Sequence, residues 1–210
     1  MLGFIFCHGW GYDPSFWDNL KPYFKGYKCI FWDLGYFGPS ALPIAIDESV
    51  KWIGIGHSLG FLKLLNSPIS WHKLIGLQAF LNFQGHAPSL KRKRSRDLLK
   101  LQNHFEEDAI GALLNFHKLC GMQPPYQIMN IANLQKDLAI LATTHSLREK
   151  LPCLILGCED DLIVTKAVVQ DNFSQYPQVQ IVMHDKGLHT LGFSEPEFVK
   201  NTIFGFLDVK

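Results

Sequence analysis

Three segments of this chain hold residues whose types and spacing suit attack on a carbonyl. The first, Gly56-His57-Ser58-Leu59-Gly60, fits G-x-S-x-G, with an apolar run at 52–56 before it and helix-forming residues at 59–65 after it. A strand–Ser–helix turn of this kind presents the hydroxyl at a helix N-terminus, where peptide dipoles favour a developing anion. Its backbone is tight, so glycines are needed two positions either side. A serine hydroxyl is a poor nucleophile until a base takes its proton, and that base needs a carboxylate to orient it. In enzymes built on this turn the acid comes next in the chain and the histidine last. The strand-like run 153–157 ends in Cys158-Glu159-Asp160-Asp161, and the spacing to Leu162-Ile163-Val164 favours Asp160, with Asp161 and Glu159 as alternatives. His189 lies in the loop before the last helix, where it can reach back over Ser58. An oxyanion requires two backbone N–H donors. Leu59 supplies one, and Trp10 of His8-Gly9-Trp10-Gly11, directly after the run 2–7, is assigned the other. Each motif also has a purely structural reading: a capping serine, a plain glycine turn, a capping acid.

The elements that must position these residues follow from the hydrophobic pattern. Near-continuous apolar runs at 2–7, 27–33, 52–56, 74–81, 153–157 and 179–184 predict six strands buried on both faces. Amphipathic stretches at 15–24, 59–65, 165–174 and 196–207 predict helices between them, which together describe a parallel α/β sheet. The alternation breaks at 85–150, where apolar residues recur at helical spacing on either side of Pro124-Pro125. That stretch is expected to be a helical cap inserted after the fourth strand, in a core made of 1–84 and 151–210.

Composition narrows the classes. The chain has 210 residues, 47% of them hydrophobic, with 20 basic and 19 acidic side chains and a net charge of +1. That suits one folded domain, and the balance disfavours a dedicated nucleic-acid binder. No apolar stretch approaches the ~18 residues of a membrane span. The opening run 1–7 has no basic residue before it and does not read as a signal peptide. The five cysteines show no C-x-x-C pair, which predicts a reducing, cytoplasmic setting without a disulfide framework. The histidines lack metal-ligand spacing, and neither a metal nor a cofactor is expected.

Read together, these residues resemble the α/β-hydrolase superfamily. Within it, Cys7-His8-Gly9-Trp10-Gly11 with Phe16-Trp17 is similar to the BioH-type pimeloyl-carrier-protein methyl ester esterases of biotin synthesis. So are the segment Asp33-Leu34-Gly35-Tyr36-Phe37-Gly38-Pro39-Ser40, the cap segment Phe116-His117-Lys118-Leu119, and the pattern Leu134, Leu138, Leu147-Arg148. The resemblance implies an α/β-hydrolase fold, an acyl-enzyme mechanism, and a small acyl ester carried on acyl carrier protein. Gly9, Trp10, Phe61 and Phe116 are then expected to line the substrate site of a monomer. Three departures accompany it. The family's first two strands have no counterpart, which leaves a shortened, wholly parallel six-stranded sheet. Gly35-Tyr36 stands where that family has Pro-Gly. Phe61 stands where a further glycine commonly follows the serine turn, and a ring there would trim the acyl pocket.

Lys91-Arg92-Lys93-Arg94-Ser95-Arg96, with Asp97 and Lys100, puts six positive charges and one negative within ten residues of the cap. Such a run either starts a solvated helix or receives an acidic partner, and the resemblance implies the carrier protein as that partner, met by Arg92, Arg94 and Arg96. No aromatic stacking platform accompanies it, which disfavours nucleic acid.

Overall fold

The computed structural model describes residues 1–40, 46–123 and 129–208. Strands occur where the six apolar runs lie: β1 (Leu2–Cys7), β2 (Lys28–Trp32), β3 (Lys51–His57), β4 (Trp71–Leu77), β5 (Cys153–Cys158) and β6 (Val179–His184). They form one sheet in the order β2-β1-β3-β4-β5-β6, and all five neighbouring pairs are parallel. Every strand therefore points its C-terminal end to the same edge. There the chain leaves β1 at His8, β3 at Ser58, β4 at Gln78, β5 at Glu159 and β6 at Asp185. Parallel pairing thus gathers along one rim a serine turn and an acid and a histidine loop that lie more than ninety residues further on in sequence.

Helices cover both faces. α1 (Leu59–Leu65) and α5 (Lys166–Phe173) share one face, where the Phe61 and Phe173 rings meet edge-on at 6.1 Å. α7 (Pro196–Leu207) lies with the segment 14–24 on the other, through Phe204 against Phe24. A short helix α6 (Leu191–Ser194) precedes it. The helix expected over 15–24 is instead two 3-10 turns, Pro14–Trp17 and Lys21–Phe24. Pro22 has no amide to bond the carbonyl four residues back, and its ring collides with that carbonyl in a continuous α-helix. β4 also stops at Leu77 rather than running to 81, because Gln78 turns to a φ of +51°.

Between β4 and β5 lie α2 (Pro88–Glu107), α3 (Ala109–Cys120) and α4 (Ile131–Ile140). Pro124-Pro125, read as the divide within this stretch, lies outside the described residues. These helices are bonded to the rim loops. The Trp10 indole N–H donates to the Leu134 carbonyl at 2.8 Å, and Thr190 Oγ1 donates to the Cys120 carbonyl at 3.3 Å. Buried Asp137 on α4 accepts from the Tyr36 hydroxyl at 2.7 Å and pairs with Lys63 of α1. Tyr36 therefore ties its loop to α4.

Candidate active site

Ser58 sits between β3 and α1 with φ 52° and ψ −121°, a conformation that non-glycine residues rarely hold. Its own amide donates to the Leu77 carbonyl at 2.9 Å, which keeps the turn fastened to β4. The flanking glycines are required by contact. A Cβ on Gly56 would lie 2.4 Å from the Phe61 Cα, and one on Gly60 would lie 2.2 Å from the Cys7 carbonyl oxygen. Gly9 lies across the same turn, since a Cβ there would come within 3.2 Å of the Ser58 Cβ.

The amides of Leu59 and Trp10 donate to no acceptor among the described residues. For Trp10 the cause is traceable. The Leu34 amide donates to His8 Nε2 at 3.1 Å, so the neutral ring carries its proton on Nδ1 and donates to the Gly9 carbonyl at 3.0 Å. The Tyr12 amide donates to that same carbonyl at 3.3 Å. In a planar trans peptide the N–H points opposite to the C=O, so fixing the Gly9 carbonyl turns the Trp10 amide away from His8 and Tyr12.

The acid on His189 is Asp161, not Asp160. Asp161 Oδ2 accepts from His189 Nδ1 at 2.8 Å, and neither side chain has exposed surface. Its other oxygen accepts the Ile163 amide at 2.7 Å and the Val164 amide at 2.9 Å. Asp160 points the other way: Oδ1 accepts the Leu188 amide at 2.8 Å and the Cys158 thiol at 2.9 Å. Burial opposes ionisation of Asp160, yet the thiol and the Leu188 and Gly187 amides outweigh it and hold its carboxyl below the ordinary value. Asp160 and Asp161 lie in the turn after β5, where a one-residue step redirects the side chain, so spacing to 162–164 located the acidic cluster without resolving which member faces the histidine. With Nδ1 donating to Asp161, the His189 lone pair is on Nε2, which is buried and without a partner among the described residues.

Aromatic rings close in around this group. Phe116 stands edge-on to Trp10 at 5.0 Å and to His189 at 6.3 Å. Phe61, expected in the acyl pocket, is instead a core residue: it has no exposed surface and packs on Phe173 and beside Gly76. His57 joins the site as well: its Nε2–H donates to the His189 carbonyl at 3.0 Å and its ring stacks on Phe16 at 4.2 Å. Adjacency to the serine was the available signal. Among the described residues no cluster of three or more His, Cys, Asp or Glu side chains could hold a metal ion, and no helix is long and apolar enough to cross a membrane.

Two buried histidines give this region a pH dependence. Burial, with the neighbouring His189, pushes the His57 imidazole well below its ordinary 6.5, and burial lowers His117 to about 4. Both are neutral in the fold and bind protons when unfolded, so stability is fully present above 6.5 and declines as pH falls toward 4. The expected slope is about 1.4 kcal/mol per pH unit for each histidine. Urea midpoints measured from pH 7.5 to pH 5 check it, and a midpoint that stays level, or rises as pH falls, overturns it.

Within the basic run, Arg92 and Arg96 are exposed, but Arg94 is not available to a partner. Its guanidinium donates to the Phe83 and Ile163 carbonyls and lies 4.1 Å over the Phe83 ring. A charge two residues along a helix faces a different side, and α2 turns this one inward. Arg94→Ala is expected to cost about 2–3 kcal/mol, because two carbonyls lose a charged donor. Arg92→Ala should stay within about 0.5 kcal/mol. Urea unfolding of the two variants decides between these roles.

No protein-family model matches this chain, and no curated protein matches it by sequence. Solved structures do match in shape. A hydrolase from Oleispira antarctica is 16% identical with a TM-score of 0.79, over 100% of this chain and 92% of its own. An esterase from Exiguobacterium antarcticum is 15% identical with a TM-score of 0.78, over 99% and 92%. A bromoperoxidase from Bacillus anthracis is 14% identical with a TM-score of 0.72, over 99% and 92%. The chain has the α/β-hydrolase fold.

Proposed function

We propose that this protein is a serine hydrolase of carboxylic esters. The observation that carries the reading is the buried Asp161–His189 pair with its free Nε2, on the rim where Ser58 occupies the strained turn. Ser58 attacks the ester carbonyl while His189 Nε2 takes its proton. Asp161 holds the imidazole in the required tautomer and balances the imidazolium. The Leu59 and Trp10 amides receive the oxyanion. His189 then returns the proton to the leaving alcohol, and water, activated in the same way, releases the acid from Ser58. Several structural neighbours are described as esterases or hydrolases, which supports this chemistry, although the bromoperoxidase shows that the shape alone does not fix it.

For the substrate we infer the methyl ester of a pimeloyl chain on acyl carrier protein, on the strength of the H-G-W-G turn and the cap motifs. The acidic carrier would dock on Arg92, Arg96 and Lys100, which recur every fourth residue on α2 and are all exposed. Cap helices α2–α4 would shelter the acyl chain, with Gly9, Trp10 and Phe116 against it. The aromatic crowding around His189 favours a second reading, a short-chain esterase or thioesterase.

The test has two arms. A fluorophosphonate should add once, on Ser58, and the protein should convert the carrier-bound methyl ester to the free acid as read by mass spectrometry. Charge reversal at Arg92 and Arg96 should slow that conversion and spare free esters. Turnover of short esters or matched thioesters alone moves the assignment to the second reading. Absence of an adduct together with absence of any turnover overturns the hydrolase.

A further inference from the structure

Gln78 has no exposed surface and follows β4 directly, with a φ of +51° that a residue carrying a side chain rarely adopts. Its amide still donates to the Leu156 carbonyl at 2.6 Å, so β4 remains joined to β5 while the side chain turns toward the rim. Nε2 donates to Asp161 Oδ2 at 2.8 Å and to the Leu188 carbonyl, and Oε1 accepts the Leu191 amide at 2.9 Å. Only one orientation of the amide satisfies all three partners. The flipped group would set oxygen against a carboxylate and a carbonyl, and NH2 against an N–H. Each partner is either the acid itself or lies within two residues of His189. The carboxylate oxygen that faces His189 is the same one that Gln78 grips.

We propose that Gln78 is a positioning residue for catalysis, locking Asp161 and the 188–191 segment in the geometry that holds His189 Nδ1 on the acid and leaves Nε2 free to act as base. It acts from the end of β4, a strand that supplies none of the three reacting side chains. The structural logic is a shortage of other restraints. Leu188 is itself strained at φ 46°, so the histidine's loop does not hold its shape through local preference. Asp160 ties the Leu188 amide, His57 the His189 carbonyl and Thr190 the Cys120 carbonyl, but among the described residues it is Gln78 that, besides His189 itself, joins this loop to the acid.

This inference rests on the hydrolase reading, and its test separates the two. Gln78→Leu should lower kcat on a short ester about 10–100-fold with KM within about twofold, the pattern of a lost transition-state interaction. Gln78→Glu puts a second carboxylate beside the pair, so the acidic limb of the kcat/KM profile should move upward by about one pH unit. In an Asp161→Asn background, Gln78→Leu should cost less than about threefold more, because a residue that acts through the acid has little left to act on. Proton NMR supplies a readout independent of turnover. The downfield His189 Nδ1–H signal of the wild type should shift or broaden in both Gln78 variants. If wild type turns over ester while the Gln78 variants keep its kcat, pH limb and downfield signal, the positioning role is wrong and the hydrolase stands. A lower melting temperature with unchanged kcat, or additive losses in the double variant, likewise reduces Gln78 to a packing residue. If wild type hydrolyses nothing and takes no phosphonate, the hydrolase reading and this inference fall together.

Discussion

Asp161→Asn is expected to lower kcat on a short ester by about 10⁴-fold, with little change in KM. The asparagine oxygen can still accept the Ile163 and Val164 amides, so the turn after β5 survives the exchange. Its NH2 then faces His189 Nδ1, where the carboxylate oxygen stood. A donor there forces the imidazole proton onto Nε2, removes the lone pair that Ser58 needs, and leaves the imidazolium unbalanced. The same NH2 also meets the Gln78 amide donor, which adds local disorder to the wrong tautomer. Asp160→Asn provides the contrast. Its oxygen still accepts the Leu188 amide, and the expected change is about twofold. Steady-state kinetics on both variants, with melting temperatures to confirm folding, decides the matter. A larger loss in Asp160→Asn than in Asp161→Asn would reverse the assignment of the acid.

Removing the nucleophile should have the largest effect of all. Ser58→Ala is expected to reduce kcat about 10⁶-fold, to the level that substrate binding and the oxyanion donors sustain alone. Alanine keeps the Cβ that the turn already accommodates, and Ser58 makes no side-chain capping bond on α1, so stability should barely change. The same variant should take no fluorophosphonate. Substantial residual turnover, or an adduct elsewhere on the chain, would show that Ser58 is not the nucleophile.

Asp160, Asp161, Arg94 and Phe61 take places other than those the sequence suggested, and one cause covers all of them. Asp160 and Asp161 differ by one position, Arg92 and Arg94 by two, and Phe61 lies three beyond the serine. In each case the sequence located the segment, and the error was in direction. Gln78 is of another kind. Nothing in Leu77-Gln78-Ala79 announces a left-handed residue, so the early end of β4 and the bonds it permits had no sequence signal.

What the sequence determined by itself was the set of elements and their chemistry. The apolar runs specified six buried strands, the glycines at 56 and 60 specified a turn that only they can pack, and the order Ser58, acidic cluster, His189 specified which loops must meet. Hydrophobic burial and backbone sterics are read at the scale of a segment, and a segment's pattern survives an uncertainty of one residue. Tertiary structure alone decided which atoms face each other. Side-chain direction reverses with each step along a strand and turns about 100° with each step along a helix. The choice of Asp161, the inward turn of Arg94 and the reach of Gln78 were therefore fixed only when β4, β5 and the loop after β6 packed side by side.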